Sequence, residues 1–287
     1  MKWHKGGLIF SLSGRHAQMP TVEQHDDGTM TVYFSTRDEK NRSLPMCFRT
    51  RQDRPGDIIE FRDEPLFRLG IPGTFDDSGV MPSCAVGNAL YYVGWSLRVT
   101  VPYFTAIGAA INLTRLYNGA LLGYGVMEPW GCTTPYVIRE HNLWKMWYAS
   151  YDIWEEGEPS YHLRYATSED GSHWNTHGIL WYEGDKCFCR PSMFRFGGGH
   201  KMVYSYRHTH GYRTDRTKSY RLGLAASDDM LSWRQEDIGI DVSESGWDSE
   251  MIAYGTVYEF DGKVYMLYNG NGFGKSGIGY AILEDEG

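Results

Sequence analysis

PYVIREHNLWKMWY, residues 135–148, reads as a strand, a tight turn and an aromatic-rich second strand, and the chain writes this pattern five times. The other copies are PTVEQHDDGTMTVY at 20–33, PSCAVGNALYY at 82–92, PSMFRFGGGHKMVY at 191–204 and GTVYEFDGKVYMLY at 255–268, where Gly255 replaces the proline. Their starts lie 53–64 residues apart, so the copies fill nearly all of the 287 residues. A strand-built repeat of this period predicts an all-β fold: a five-bladed β-propeller, four strands per blade, in a single domain over residues 1–287. Such a fold gathers its loops at the mouths of one central channel, so the repeat also says which segments to search for chemistry.

The rest of each repeat supports the division. A third strand carries Gly-x-Ala at 108–110, 223–225 and 279–281, with Arg164 to Ala166 as a looser copy, and small residues there would let neighbouring blades approach. SEDGSHW at 168–174 and SDDMLSW at 227–233 are a Ser, an acidic turn and a Trp, similar to a shortened sialidase-type Asp box. They are expected to be structural turns on the outer rim. Gly178 to Trp181 lies thirteen residues before Pro191, and Gly7 to Phe10 stands the same distance before Pro20. The N-terminal segment is therefore an outer strand without a blade, while the last blade stops after Ala281. Pairing the two closes the ring and satisfies two open sheet edges.

Composition narrows the function. Hydrophobic residues make up 41% and aromatics 15%, with 10 Trp and 21 Tyr, and the mean hydropathy is −0.47, the profile of a soluble protein. No apolar run is long enough for a membrane span, and the N-terminus is too short in apolar residues for a secretory signal. Five cysteines without scaffold spacing fit a reducing compartment, so a cytoplasmic location is expected. Cys187 and Cys189 are expected to fill core space rather than bind metal, and no metal or cofactor is expected. A formal charge of −8 argues against a nucleic-acid partner, since phosphate recognition needs a basic face. A small-molecule or oligosaccharide partner remains, with the oligomeric state open.

In this topology the loops at 11–19, 70–81, 123–134, 182–190 and 241–254 open on one face with the second-to-third-strand loops. They hold Asp76, Asp77, Glu128, Asp185, Asp248 and Glu250, and also His16. Asp77 and Glu250 stand five residues before Pro82 and Gly255. That shared offset makes them the candidate catalytic pair, with Glu128 in reserve, because glycosidic cleavage needs two carboxylates flanking the bond. Asp76 and Asp248 serve equally well as turn residues. Arg190, Arg207 and His208 could clamp an anion, although the arginines could instead pair with channel carboxylates such as Glu250. Trp95, Trp130 and Trp247, with Trp154, could stack on a sugar ring, and Asn269 and Asn271 could read hydroxyls.

MWYAS at 146–150, GLAASD at 223–228 and YMLYNG at 265–270, together with SEDGSHW, resemble the five-bladed propeller glycosidases of families 43, 32 and 68 and the related family 130 phosphorylases. The likeness spans essentially the whole sequence. It implies a carbohydrate-active enzyme that cleaves or transfers a glycosyl group, an anionic or phosphorylated sugar being among the expected substrates. The alternative is a non-catalytic sugar-binding propeller in polysaccharide metabolism. The family 43 triad places carboxylates just before the inner-strand prolines. Here those places hold Gln18-Met19, Thr133-Thr134 and Cys189-Arg190, and the family 32 Asn-Asp-Pro motif gives way to Gln18-Met19-Pro20. Any catalysis must therefore use a different set.

Overall fold

The computed structural model describes residues 1–284, so the last three residues of the expected domain lie outside the described part. β1 (Trp3–Phe10) precedes the first repeat, which forms β2 (Gln18–Gln24), β3 (Thr29–Arg37), β4 (Ser43–Arg51) and β5 (Glu60–Phe61). Repeat 2 forms β6 (Gly79–Val86), β7 (Ala89–Leu97), β8 (Tyr103–Ile111) and β9 (Thr114–Arg115). Repeat 3 forms β10 (Cys132–Glu140), β11 (Leu143–Glu155), β12 (Glu158–Ser168) and β13 (Asn175–Trp181). Repeat 4 forms β14 (Lys186–Phe196), β15 (Gly199–His208), β16 (Arg221–Ser227) and β17 (Arg234–Glu236), and repeat 5 forms β18 (Ala253–Phe260), β19 (Lys263–Asn269) and β20 (Ile278–Leu283).

Within each repeat the strands pair antiparallel in sequence order. Repeats 1 and 2 share one sheet through a single parallel bridge, Ser43 to Gly79. Repeat 5 supplies only three strands, and its fourth neighbour is β1, with Leu8 opposite Gly279 and Trp3 opposite Leu283. The innermost strands touch in a closed cycle: β2 on β6, β6 on β10, β10 on β14, β14 on β18 and β18 on β2. Middle strands are therefore covered on both faces, and β7 is buried along its length except at Leu97. This double coverage explains why ALYYVGWS reads as a continuous apolar run rather than an alternation.

All five first strands break register near their start, at Gln18/Thr21, Pro82/Cys84, Thr133/Tyr136, Cys189/Ser192 and Ala253/Thr256. Proline cannot donate to the ladder, which suits it to the bulge in four repeats, and in the fifth Gly255 takes the same place. In four repeats the residue ahead of the proline or its glycine turns left-handed: Met19, Thr134, Arg190 and Tyr254, with φ of 60°, 48°, 56° and 57°. Three of these bulges free an N–H that the preceding repeat collects. Met19 donates to Asn269 Oδ1 at 3.1 Å, Tyr254 to Ser205 Oγ at 2.8 Å and Arg190 to Thr134 Oγ1 at 3.0 Å.

Two expected devices work differently in detail. A Cβ on Gly108 would sit 2.6 Å from the Tyr92 ring, and one on Gly223 would sit 2.3 Å from Tyr204. The small third-strand residue thus makes room for the tyrosine of its own repeat rather than for the neighbouring sheet. The acidic turns are closed by their own side chains: Asp170 Oδ1 accepts from the N–H groups of Ser172 and His173, and Asp229 Oδ1 from those of Leu231 and Ser232. They also clasp the preceding repeat, since Tyr91 donates to the Gly171 carbonyl and the Trp147 indole to that of Met230. Cys187 and Cys189 lie buried in the largest core cluster beside Tyr161 and Tyr204.

Candidate functional site

One cavity of about 460 Å³ opens where the inner strands meet, and all five repeats line it. Repeat 1 contributes His16, Gln18, Met19, Arg37 and Asn41. Repeat 2 adds Met81, Trp95, Leu97, Pro102, Tyr103 and Thr105, and repeat 3 adds Thr133, Thr134, Tyr151, Pro159 and Tyr161. Repeat 4 gives Cys189, Arg207, Tyr212, Arg213 and Tyr220, and repeat 5 gives Tyr254 and Phe273. Eight aromatic rings and three guanidinium groups therefore face the space, and among the described residues no carboxylate lines it.

The aromatic wall is a connected network. Tyr161 and Tyr220 share a short hydroxyl contact, Tyr103 meets Trp154 edge-on at 5.0 Å, and Tyr220 packs near Tyr254 and Phe273. Burial holds the Tyr151, Tyr161 and Tyr220 phenols well above their ordinary range, so they are neutral donors at physiological pH. Burial likewise pushes the Cys189 thiol up to about 12, which leaves it a weak nucleophile.

The arginines differ sharply. Arg207 is 1% exposed and fully engaged: Nε donates to the Tyr161 hydroxyl at 3.1 Å, Nη1 to the carbonyls of His208 and Thr209, and Nη2 to that of Pro159. Its guanidinium lies 3.9 Å from the Tyr212 ring centroid. Arg213 donates to Glu158 at 2.8 Å. Arg37 donates only from Nη1, to the Asn41 carbonyl at 2.9 Å, and lies over the Trp95 indole at 5.3 Å. Arg190 does not line the cavity. It is 1% exposed, and its fork reaches Ser83, Pro20 and Thr21 on the inner strands of repeats 2 and 1. The arginine–carboxylate pairing weighed for Arg190 and Arg207 is therefore corrected: the bonds both make go to carbonyls and hydroxyls, and Arg190 Nε is buried without a partner.

The expected carboxylates are not brought together in the cavity. Asp77 closes its own turn, accepting from the Gly73 N–H and the Ser78 hydroxyl at 2.8 Å each. Glu250 forms a half-exposed ion pair with Arg216 at 2.7 Å. Glu128 is 2% exposed and accepts from Tyr148 at 2.6 Å and from Ser150, with Arg164 at 3.9 Å. It is one of three similar staples. Asp76 takes the Tyr92 hydroxyl at 3.0 Å and Arg115 at 2.8 Å, and Asp248 takes the Tyr268 hydroxyl at 3.0 Å and Lys5 at 2.7 Å. In each, a carboxylate in the entry loop binds the second-strand tyrosine of its repeat; Asp76 and Asp248 also bind a cation from the outermost strand, whereas the cation near Glu128, Arg164, stands on the third.

The remaining expected residues divide. His16 and Trp95 line the cavity. Trp247 stacks on Tyr268 at 5.2 Å, and Trp130 is 48% exposed outside the lining. Asn269 is buried as the acceptor for Met19, and Asn271 caps the N–H groups of Glu250 and Met251, so both hold backbone. His208 faces Asp185 at 3.6 Å. Sequence reasoning missed Arg37, Tyr254 and the Tyr103, Tyr151, Tyr161, Tyr220 set. It also missed Glu158, a carboxylate that borders the cavity: one oxygen holds Arg213, and it acts on the lining phenols of Tyr212 and Tyr103. A positional signal existed. Ser35 opposes Gln18 as Ser205 opposes Cys189, so Arg37, Trp95, Tyr151 and Arg207 stand at one place in four repeats, three residues beyond Phe34, Tyr92, Tyr148 and Tyr204.

No protein-family model matches the sequence. Two curated Mycobacterium tuberculosis proteins, "Uncharacterized protein MT1551" from strain CDC 1551 / Oshkosh and "Uncharacterized protein Rv1502" from strain H37Rv, are each 35% identical over 308 residues, covering 99% of this protein and 100% of their own length. Among solved structures, a BT0996 RGII complex aligns at a TM-score of 0.73 and 15% identity over 99% of this protein and 92% of that one. A structure titled "Glycoside hydrolase" aligns at 0.71 with the same identity and coverage. A GH130 structure, whose title describes glycoside hydrolases among mannoside phosphorylases that target β-1,2 mannosidic linkages in Candida mannan, aligns at 0.62 and 16% identity over 95% of this protein and 85% of its own length. At these identities the likeness establishes the fold, the β-propeller used by glycoside hydrolases.

Proposed function

This protein belongs to the family of the two mycobacterial proteins, and from the fold it shares with glycoside hydrolases and from the cavity we propose a carbohydrate-active protein that seats a sugar at the centre of a glycoside-hydrolase-type propeller. The reading takes the eight-stranded sheet as two blades, giving five blades in one domain closed by β1 against β20. The observation that carries it is the lining itself. Eight aromatic rings from different repeats converge on about 460 Å³, a volume within the roughly 300–1,000 Å³ of small-molecule sites. Aromatic faces stack on the apolar faces of sugar rings, and the threonine and tyrosine hydroxyls supply hydrogen bonds. The test is calorimetric titration of purified protein with a panel of mono- and oligosaccharides. Saturable binding that Trp95→Ala and Tyr254→Ala each weaken at least tenfold supports the assignment, and no binding across the panel removes it.

Cleavage or transfer of a glycosyl group is the second reading, favoured by Glu158 beside the lining residues Tyr212 and Arg213. A carboxyl group there could protonate a leaving oxygen, whereas Asp77, Glu128 and Glu250 would have to act from outside the lining. Product formation from aryl glycosides or oligosaccharides that disappears in Glu158→Gln, with ligand binding retained, supports catalysis. Binding without product in the wild type leaves recognition alone.

A further inference from the structure

We propose that the sugar taken by this cavity carries an oxyanion, docked by His16 and Arg37. The inference rests on the saccharide reading and adds the substrate class. It begins from the equivalence of Arg37 and Arg207, which occupy the same position in repeats 1 and 4 and both face the cavity. Arg207 has placed all three of its nitrogen atoms in hydrogen bonds to the protein. Arg37 has placed one, leaving Nε and Nη2 without a protein acceptor.

Arg37 feels the charge of neighbouring Asp38 but forms no ion pair with it. Asp38, the closest carboxylate in sequence, is bound by Arg42 at 2.8 Å. Among the described residues, no carboxylate pairs with Arg37, His16 or Lys275, while Arg37 and Lys275 both act electrostatically on His16. Lys275 is brought to His16 by close packing of the 270–277 loop, where the Ala17 N–H donates to the Gly274 carbonyl at 2.8 Å. Arg37 and His16 thus line one side of a cavity with no carboxylate among its lining residues, and the exposed Lys275 adds positive charge near His16. Gathering like charges in a partly dry site is unfavourable unless an anion completes it, and the guanidinium fork suits a planar carboxylate or a phosphate edge-on. The Trp95 indole under the same guanidinium holds it in plane at the cavity wall.

The experiment titrates the full-length protein by calorimetry with a methyl hexoside, the matching hexuronate and the matching hexose 6-phosphate, at fixed ionic strength. The expected result is that at least one anionic sugar binds tenfold or more tightly than the neutral one, the preferred arm identifying carboxylate or phosphate. Arg37→Gln and His16→Gln should each erase most of that preference, read as the ratio of anionic to neutral affinity within the same variant. Equal affinity for neutral and charged sugars, or an anion preference surviving in Arg37→Gln, overturns the proposal. If no sugar binds, the saccharide reading fails by itself, and the subsite is judged on acetate and inorganic phosphate. Arg37-dependent saturation by either supports it, and none overturns it.

Discussion

Arg190 Nη2 donates to the Pro20 carbonyl at 2.6 Å, tying the inner strand of repeat 4 to that of repeat 1 across the ring. The same side chain reaches Thr21 and Ser83, and its own N–H reaches Thr134, so one residue spans the first strands of four repeats. Burial pushes its guanidinium down to about 10, still far enough above neutrality to stay charged. The bulge explains how it gets there: a left-handed residue ahead of Pro191 turns the side chain inward instead of along the sheet.

Arg190→Met should therefore destabilise the whole ring rather than one sheet. It strands two inner-strand carbonyls and two hydroxyls in a buried space, a loss of roughly 3–5 kcal/mol. Arg190→Lys should lose nearly as much, because a single ammonium cannot span both sides of the fork. Urea denaturation measures both, and a loss under about 1 kcal/mol in Arg190→Met contradicts the assignment.

The strand plan was legible because its signals are local. Proline at the bulge, alternating residues and a turn before an aromatic strand are all set by neighbours in sequence, so PYVIREHNLWKMWY maps onto β10 and β11. The N-terminal strand was legible for the opposite reason, a strand in surplus at one end and one missing at the other, and β1 lies against β20. The site was less legible. Nothing at Asp76, Glu128 or Asp248 says that a tyrosine from the second strand of the same repeat closes over it, and that contact is what makes each a staple in the fold. Arg37 and Arg207 look alike in sequence, and only the groups around them separate the guanidinium with one hydrogen-bonded nitrogen from the one with all three engaged.

The staples give the second prediction. Tyr148→Phe removes the 2.6 Å donor to Glu128, leaving a 2%-exposed carboxylate with Ser150 and a distant Arg164. The expected cost is about 1–3 kcal/mol. Arg115→Met should cost more, about 3–5 kcal/mol, because Asp76 is wholly buried and loses its only ion-pair partner among the described residues. Adding Asp76→Asn to Arg115→Met should recover part of the loss. A double variant no more stable than Arg115→Met alone would argue against an unpaired charge as the cause.

The third-strand glycines give a prediction of steric origin. Gly108→Ala places a methyl group 2.6 Å from the Tyr92 ring, which is fixed from behind by Asp76 and stacked on Phe75. The ring cannot swing away without breaking the Asp76 contact, so a loss of about 1–3 kcal/mol is expected. The double variant Gly108→Ala with Tyr92→Leu should cost less than the two single losses added, read from thermal unfolding of all four proteins. Simple additivity would mean that the methyl group and the ring do not meet.

The last prediction concerns pH at His16. Burial first, then the charges of Arg37 and Lys275, hold its pKa below the ordinary 6.5, so the imidazole is neutral in the empty protein at pH 7. The folded state then binds fewer protons at this residue than the unfolded state, and the contribution to stability, complete above 6.5, declines as pH falls through 6.5 toward the lower folded value. An oxyanion seated between His16 and Arg37 reverses the sign for binding, because it favours the imidazolium and the complex takes up a proton. Affinity for a hexuronate, whose carboxylate stays ionised in this range, should rise about three- to tenfold between pH 7.5 and pH 5.5, since one pKa unit of differential interaction is worth a factor of ten. A sugar phosphate is a poorer probe because its own second ionisation falls near pH 6. Calorimetry in buffers of different ionisation enthalpy should register the proton uptake directly, and His16→Gln should flatten both. A hexuronate that binds more weakly at low pH, or a pH slope that persists in His16→Gln, would place the anion away from this imidazole.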